Sequence, residues 1–365
     1  MKRLYTLIIV IILFYIPSDA QKRVVDAETQ SPVAAASIFD GAGNMVGFTW
    51  SDGSFSKVPE SAYPITLRCM GYEQLVIGRP EEKTWEMTPM AYELEEVIVV
   101  PIERNVLKQT FYVREYFSIH NESDTVTFFT EHMSRRFIPT SKDAELGEDT
   151  SLQILNTRQY GHYQVSGKDS IVANPESAFP LLVNVLYLKN EAVKAPESFL
   201  ESGNMPKHFE KAGKSGMALI QKQNAQTFTT IEDALANRKK HKLSPWIMKA
   251  IGCSMEFNQL YSTHTYRVND KGIYLPNDLM EASFVLEALG KGKFLRKTLK
   301  SDNPVVIHSM TELYIVGREF LTLAEAQEAY KTKPTDVEFV IPSSVPPLNE
   351  AIRRLVERVN AEAIK

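Results

Sequence analysis

Cysteine is almost missing from this sequence: Cys69 and Cys253 stand alone, 184 positions apart in 365 residues. A small disulfide-stapled scaffold is therefore excluded, and buried apolar surface must carry stability. In an oxidising compartment the two could pair, but they fall in regions expected to fold separately, so two buried free thiols are expected. An excess of positive charge is also missing. Lys and Arg number 41 against 45 Asp and Glu, a formal charge of −4. That mildly acidic balance argues against a nucleic-acid partner.

Catalytic motifs are missing as well. None of the seven histidines (120, 132, 162, 208, 241, 264 and 308) has Glu three residues later, and no H-E-x-x-H occurs. A zinc peptidase thus lacks its ligands. No G-x-S-x-G elbow is present; Gly252-Cys253-Ser254-Met255-Glu256 lacks the second glycine. Gly213-Lys214-Ser215 suggests a phosphate loop, but His208 occupies the position that must be glycine. No catalytic, cofactor-binding or metal-ligating residue is assigned, and no cofactor is expected. Asp52 is expected to cap its own turn, since no spaced series of carboxylates accompanies it to hold calcium.

Only one long apolar run exists. Lys2-Arg3 precede Leu4–Ile16, Pro17 breaks the run, and Ser18-Asp19-Ala20 offers small residues at a cleavage site. This is the pattern of a secretory signal over residues 1–20, cut before Gln21. These thirteen residues, apolar apart from Thr6 and the Tyr hydroxyls, fall short of the roughly 20 that span a bilayer as a helix. No Cys stands near the cut to accept a lipid. The mature chain is expected to be periplasmic or secreted, not a lipoprotein, and without a transmembrane span.

Residues 21–100 show short β-forming runs divided by turn residues. Arg23–Val25, Ala34–Phe39, Met45–Thr49, Ile65–Cys69, Leu75–Ile77 and Trp85–Met87 are the expected strands. Asp40-Gly41-Ala42-Gly43-Asn44 and Asp52-Gly53 supply turns. This spacing predicts an all-β sandwich. The order Val24-x-Asp26-x-x-Thr29-x-x-Pro32-Val33-x-x-Ala36-x-Ile38, then Thr49-x-x-Asp52-Gly53-x-Phe55, then Gly71-Tyr72 resembles the carboxypeptidase regulatory-like domain. The Leu94–Val100 tail is similar to the strand that often closes that module. The resemblance covers about 80 residues and implies a transthyretin-like sandwich without catalytic residues, found on many Bacteroidota envelope proteins. Val24-Val25 replaces the family's usual Gly-x-Val, and Trp50 sits where a small polar residue is common. Tyr72 is expected to be a core aromatic. A TonB-dependent transporter, a frequent companion of this module, is excluded by length: about 22 strands of about 10 residues do not fit the 265 residues left.

Residues 101–108 are expected to be a linker, and 109–365 an α+β domain with a mainly antiparallel sheet. Phe111–Phe117, Val126–Phe129, Met133–Pro139, Tyr160–Val165, Phe257–Val268 and Val305–Ile307 have strand character. The Tyr-rich run Phe111–Phe117 weakly resembles a strand that follows this sandwich in further Bacteroidota proteins, which implies no activity. Tyr261–Val268 is polar at successive positions, so its sheet should be wet on both sides or line a cleft. Thr229–Leu235 carries overlapping cap signals and predicts a helix ending in the basic Arg238–Lys242. Thr322 and Glu325 form a capping box for a helix reaching Tyr330. After Pro346-Pro347, apolar residues at 348, 352, 355, 359 and 363 make one helical stripe, expected to dock on its own sheet. His162 and His264, among Tyr and Arg, are candidates with nearby carboxylates or Ser for a site assembled from distant residues, although a strand His more often serves as a hydrogen-bonded surface or packing residue. Trp246 is expected to be a packing anchor.

The leading expectation is an exported non-catalytic envelope protein, its sandwich a scaffold or spacer for a C-terminal binding module. Its partner would be an envelope protein, a glycan or an apolar ligand. The alternatives are an envelope hydrolase built from distant residues and a periplasmic carrier of lipid or apolar ligands. The cavity in the second region separates the three.

Overall fold

The computed structural model describes residues 23–56, 58–80, 84–91, 104–141, 146, 153–174, 188, 191–200, 206–212, 217–236, 241–242, 252–299, 303–332, 337–343 and 345–363. Residues 1–20, expected to be a secretory signal, the Leu94–Val100 tail, Gly213-Lys214-Ser215 and Trp246 lie outside the described residues. Six short strands form the sandwich: β1 (Arg23–Asp26), β2 (Ser37–Phe39), β3 (Met45–Phe48), β4 (Ile65–Arg68), β5 (Leu75–Ile77) and β6 (Thr84–Met87). β1 and β6 pair in parallel, while β3-β2-β4-β5 make an antiparallel sheet. Val24, Ile38, Phe55, Ile65, Leu67, Trp85 and Met87 fill the space between them. Phe55 stacks on Trp85 with centroids 5.3 Å apart. The turns are held as their residues demand. Asp40 accepts from the Ala42 and Asn44 amides, and Asp52 accepts from the Ser54 amide and hydroxyl.

The rest of the described chain is dominated by one sheet. Its strands are β7 (Val106–His120), β8 (Thr125–Pro139), β9 (Gln153–Val165), β10 (Lys168–Ala173), β12 (Lys207–Ala212), β13 (Ala218–Gln223), β14 (Thr227–Asp233), β15 (His241–Lys242), β16 (Cys253–Arg267), β18 (Leu279–Gly292) and β19 (Val305–Leu321). The order is β10-β9-β8-β7-β19-β18-β16-β14-β13-β12, with β15 beside β16, and every pairing is antiparallel. Two meanders thus meet where β7 pairs with β19. A small ladder joins β11 (Val193–Lys194) to β17 (Ile273–Tyr274). Among the described residues four α-helices accompany the strands: α1 (Glu197–Leu200), α2 (Lys293–Leu299), α3 (Leu323–Lys331) and α4 (Glu350–Ala363). The molecule is a β-rich sandwich followed by an α+β unit with a mainly antiparallel sheet.

The central strands are buried on both faces. On one face lie Phe117, Phe128, Leu286 and Ile307 with Leu295 and Leu299 of α2. The other face receives the sandwich and α4 in a shared core of Phe39, Met45, Phe48, Tyr116, Phe129, Tyr261, Met310, Ile352, Leu355 and Val359. The C-terminal stripe therefore docks on the sheet as expected, and also under the sandwich. Asn349 caps α4 by accepting from the Ala351 amide at 2.8 Å. Gly43, at φ +84°, lets the sandwich turn reach this helix, since a Cβ there would stand 2.9 Å from that of Ala351.

Three expectations are corrected. Thr229–Leu235 is not a helix: Thr227–Asp233 is strand β14, hydrogen-bonded between β13 and β16. Its Thr-Phe-Thr-Thr-Ile content suits a pleated ladder, and sheet pairing overrides the local cap signals. Residues 106–108, assigned to a linker, begin the 15-residue strand β7. Tyr261–Val268 is not wet on both sides: Tyr261 to Tyr266 are buried, Arg267 and Val268 are partly exposed, and of the run Thr263 lines a cleft.

Candidate functional site

Cross-strand register sets the centre of the seam between sandwich and sheet. Tyr112, Arg114 and Tyr116 on β7 face Tyr314, Glu312 and Met310 on β19, and Met133, Glu131 and Phe129 on β8. Into this field the sandwich projects Arg68 from the end of β4. Its guanidinium donates to Glu312 Oε2 at 2.6 Å and to the Pro347 carbonyl at 3.0 Å, and lies 5.4 Å from the Tyr116 ring centre. Both partners are 2% exposed, so water does not screen the pair. Burial pulls the Arg68 pKa down, but Glu312, Tyr116 and Tyr314 outweigh it and the guanidinium stays charged. Arg114 donates to the Tyr112 hydroxyl and to the Pro346 carbonyl, while Tyr112 bonds Glu131. Burial raises the Tyr116 phenol to about 12, Arg68 opposing. These phenols stay neutral. The cluster is a sealed anchor in which charge is answered by charge.

Towards the β12–β14 end the same seam opens into a cleft of about 210 Å³. Its floor is a row across the sheet, His208 on β12 opposite Lys222 on β13, then Thr229 on β14. Its roof is the sandwich: Asp26, Thr29, Ser31, Met70 and Tyr72. Asp26 is already committed, accepting from the Glu28 and Thr29 amides at 2.9 Å and from the Tyr72 hydroxyl at 2.7 Å. Tyr72, expected in the core, is a half-buried aromatic packed against it and forms part of the cleft roof. Lys222 donates to the Pro32 carbonyl at 2.8 Å, and its nitrogen lies 6.0 Å from the Tyr72 ring centre. Desolvation lowers the Lys222 pKa against the weaker pull of Cys69, Asp26 and Glu210. Cys69, in the cleft wall, is a buried free thiol pushed up to about 12 by burial, so it is no nucleophile. Cys253 is likewise free and buried.

The two histidines singled out from the sequence do not converge. His162 belongs to the row Thr127–Ser118–His308 on the sandwich-facing side and pairs with Asp169 at 2.9 Å. His264 lies five strands away on the opposite face, wholly buried between Tyr266 and Phe284. Sequence reading missed His132, whose Nδ1 meets Ser134 Oγ at 2.6 Å and whose Nε2 lies 4.0 Å from Glu115. Ser134, His132 and Glu115 have the composition of a hydrolytic triad, but all three are at most 2% exposed, so the hydroxyl is closed off from solvent. Burial alone depresses His132 to about 4. His308, bonded to Glu287 at 3.2 Å and stacked on His120, sits beneath Phe48 of the sandwich. Among the described residues no three His, Cys, Asp or Glu are grouped to hold a metal ion. Arg68 and Lys222 left no mark in the sequence; a cation placed beside Cys69 or within β13 carries no motif.

Among the described residues no helix is long and apolar enough to cross a membrane. No protein-family model matches the sequence, and no curated protein is detectably similar to it. A solved structure of lipovitellin, described for its lipid–protein interactions, is similar over 60% of this chain and 26% of its own, at 9% identity and a TM-score of 0.28. This chain spans about a quarter of that one, and so slight a likeness carries no functional argument.

Proposed function

We propose that this chain is an exported, non-catalytic envelope protein in which the sandwich, of the carboxypeptidase regulatory-like kind, and the broad sheet form one rigid binding unit. The observation that carries the reading is the cleft on the seam: a concave, mixed polar and apolar space whose two walls come from the two units and are held in register by the buried Arg68–Glu312 pair. A spacer would leave the sandwich free of the sheet, whereas this one shares its core. The hydrolase alternative finds little support among the described residues, since the Ser134–His132–Glu115 arrangement is sealed and His162 and His264 occupy opposite faces. A lipid carrier calls for a large cavity with apolar walls alone; this cleft is small and carries Lys222, His208 and Thr229. Native mass spectrometry of the full chain, purified from the envelope of its own host, tests the reading. A stoichiometric adduct or partner is the expected result. A bare chain, or one that turns over ester, peptide or glycoside substrates, contradicts it.

A further inference from the structure

Lys222 is a cation of the seam that no carboxylate among the described residues pairs at contact, as is Lys207, also in the cleft lining, which donates to the Phe199 carbonyl. Arg68 has Glu312; Lys222 has only the Pro32 carbonyl, and among the described residues no carboxylate lies within ion-pair distance of it. The nearby Asp26 carboxylate is consumed by three donors of its own. His208, the cross-strand neighbour, is paired with Glu210 at 2.7 Å. An ammonium held in a partly desolvated place, with Asp26 and Glu210 attracting it only from beyond contact, is unfavourable in the empty protein, and an anion arriving beside it reduces that penalty. An ammonium carries three N–H donors, and only one of these is used, so two remain for a ligand oxygen. Around this head lie Val33, Ala34, Met70 and Ile231, an apolar patch within the same 210 Å³. A water occupies about 30 Å³ of liquid, so the space suits a molecule of roughly seven or eight heavy atoms.

We infer that the cleft binds a small carboxylate with a short apolar tail, its head group on the Lys222 ammonium and the Thr229 side and its tail on Met70, Val33 and Ile231. This rests on reading the seam as a binding unit and adds the ligand's chemistry. A bound native ligand of another class would leave that reading standing and remove this one. Binding favours the charged amine, so the site takes up protons as it fills, and affinity weakens as pH rises.

The test is an NMR-detected titration of the full chain with three probes: hexanoate, hexanamide and inorganic phosphate. Hexanamide keeps the tail without the charge, and phosphate keeps charge without the tail. Hexanoate is expected to bind at least tenfold more tightly than either, and to weaken between pH 7 and pH 10 while hexanamide does not. Lys222→Met should abolish the preference for hexanoate, Lys222→Arg should retain most of it, and Lys168→Met on the far edge strand should change nothing. Equal binding of hexanoate and hexanamide, phosphate binding as tight as hexanoate, or no hexanoate binding at all would each overturn the proposal. A Lys222→Met protein that melts like the parent yet binds hexanoate unchanged would do the same.

Discussion

At the centre of the seam Arg68 is enclosed with Glu312 and backed by the Pro347 carbonyl, while at the β12–β14 end Lys222 faces an open cleft with one carbonyl. Both cations lie between the same two layers. The first is held in a closed ion pair, which keys the sandwich to one register on the sheet. The second is left short of a counter-charge, which makes it a receptor. Closed charge positions the unit and open charge gives it something to bind, and substitutions at the two places should therefore behave in opposite ways.

The largest effect is expected from Arg68→Met. It strands Glu312 in the core without its partner, and removing one member of a buried pair destabilises by about 3–5 kcal/mol. Urea unfolding should show the midpoint fall. Leu355→Ala, which empties the α4 side of the shared core, should lower stability by about 2–4 kcal/mol in the same experiment. Acid provides a third break. His132 is held at about 4 by burial, below its unfolded value near 6.5, so the unfolded state binds the proton first. Stability should be unaffected above about pH 7 and decline as pH falls from 6.5 to 4, by on the order of 3 kcal/mol from this group. His132→Asn, which can keep the contact to Ser134, should flatten that slope in melts across the range. Gly43→Ala should lose about 1–2 kcal/mol, from its positive φ and the crowding against Ala351. Smallest of all, Lys222→Met should change stability by less than about 1 kcal/mol, because the charge it removes was never paired. A fall as large as that of Arg68→Met would erase the distinction between the two places.

Local chemistry was legible in the sequence. The Asp52-Gly53 turn, the Thr322/Glu325 box and the stripe of Ile352, Leu355 and Val359 each sit where their spacing puts them, since each depends on neighbours within a few residues. The thiols were expected free and are. The misreading of Thr227–Asp233 shows the limit: cap signals are weak when both neighbouring strands offer ladder partners. The seam was invisible for a further reason. Arg68 and Glu312 are 244 residues apart, and Lys222 meets Pro32 across 190, so nothing in either local sequence announces the contact. The sealed Ser134–His132–Glu115 group was missed because its members are ordinary strand residues until register places them on one face.

Whether sandwich and sheet behave as one unit is most directly tested by native-state hydrogen exchange in the full chain, comparing β4 of the sandwich with β19 of the sheet. The shared core and the Arg68–Glu312 pair predict that amides of Leu67 and Leu313 exchange through the same opening, with equal free energies, and that Arg68→Met uncouples them. Protection of β4 several kcal/mol below that of β19 in the unaltered protein would mean a sandwich that opens on its own, and would contradict the account.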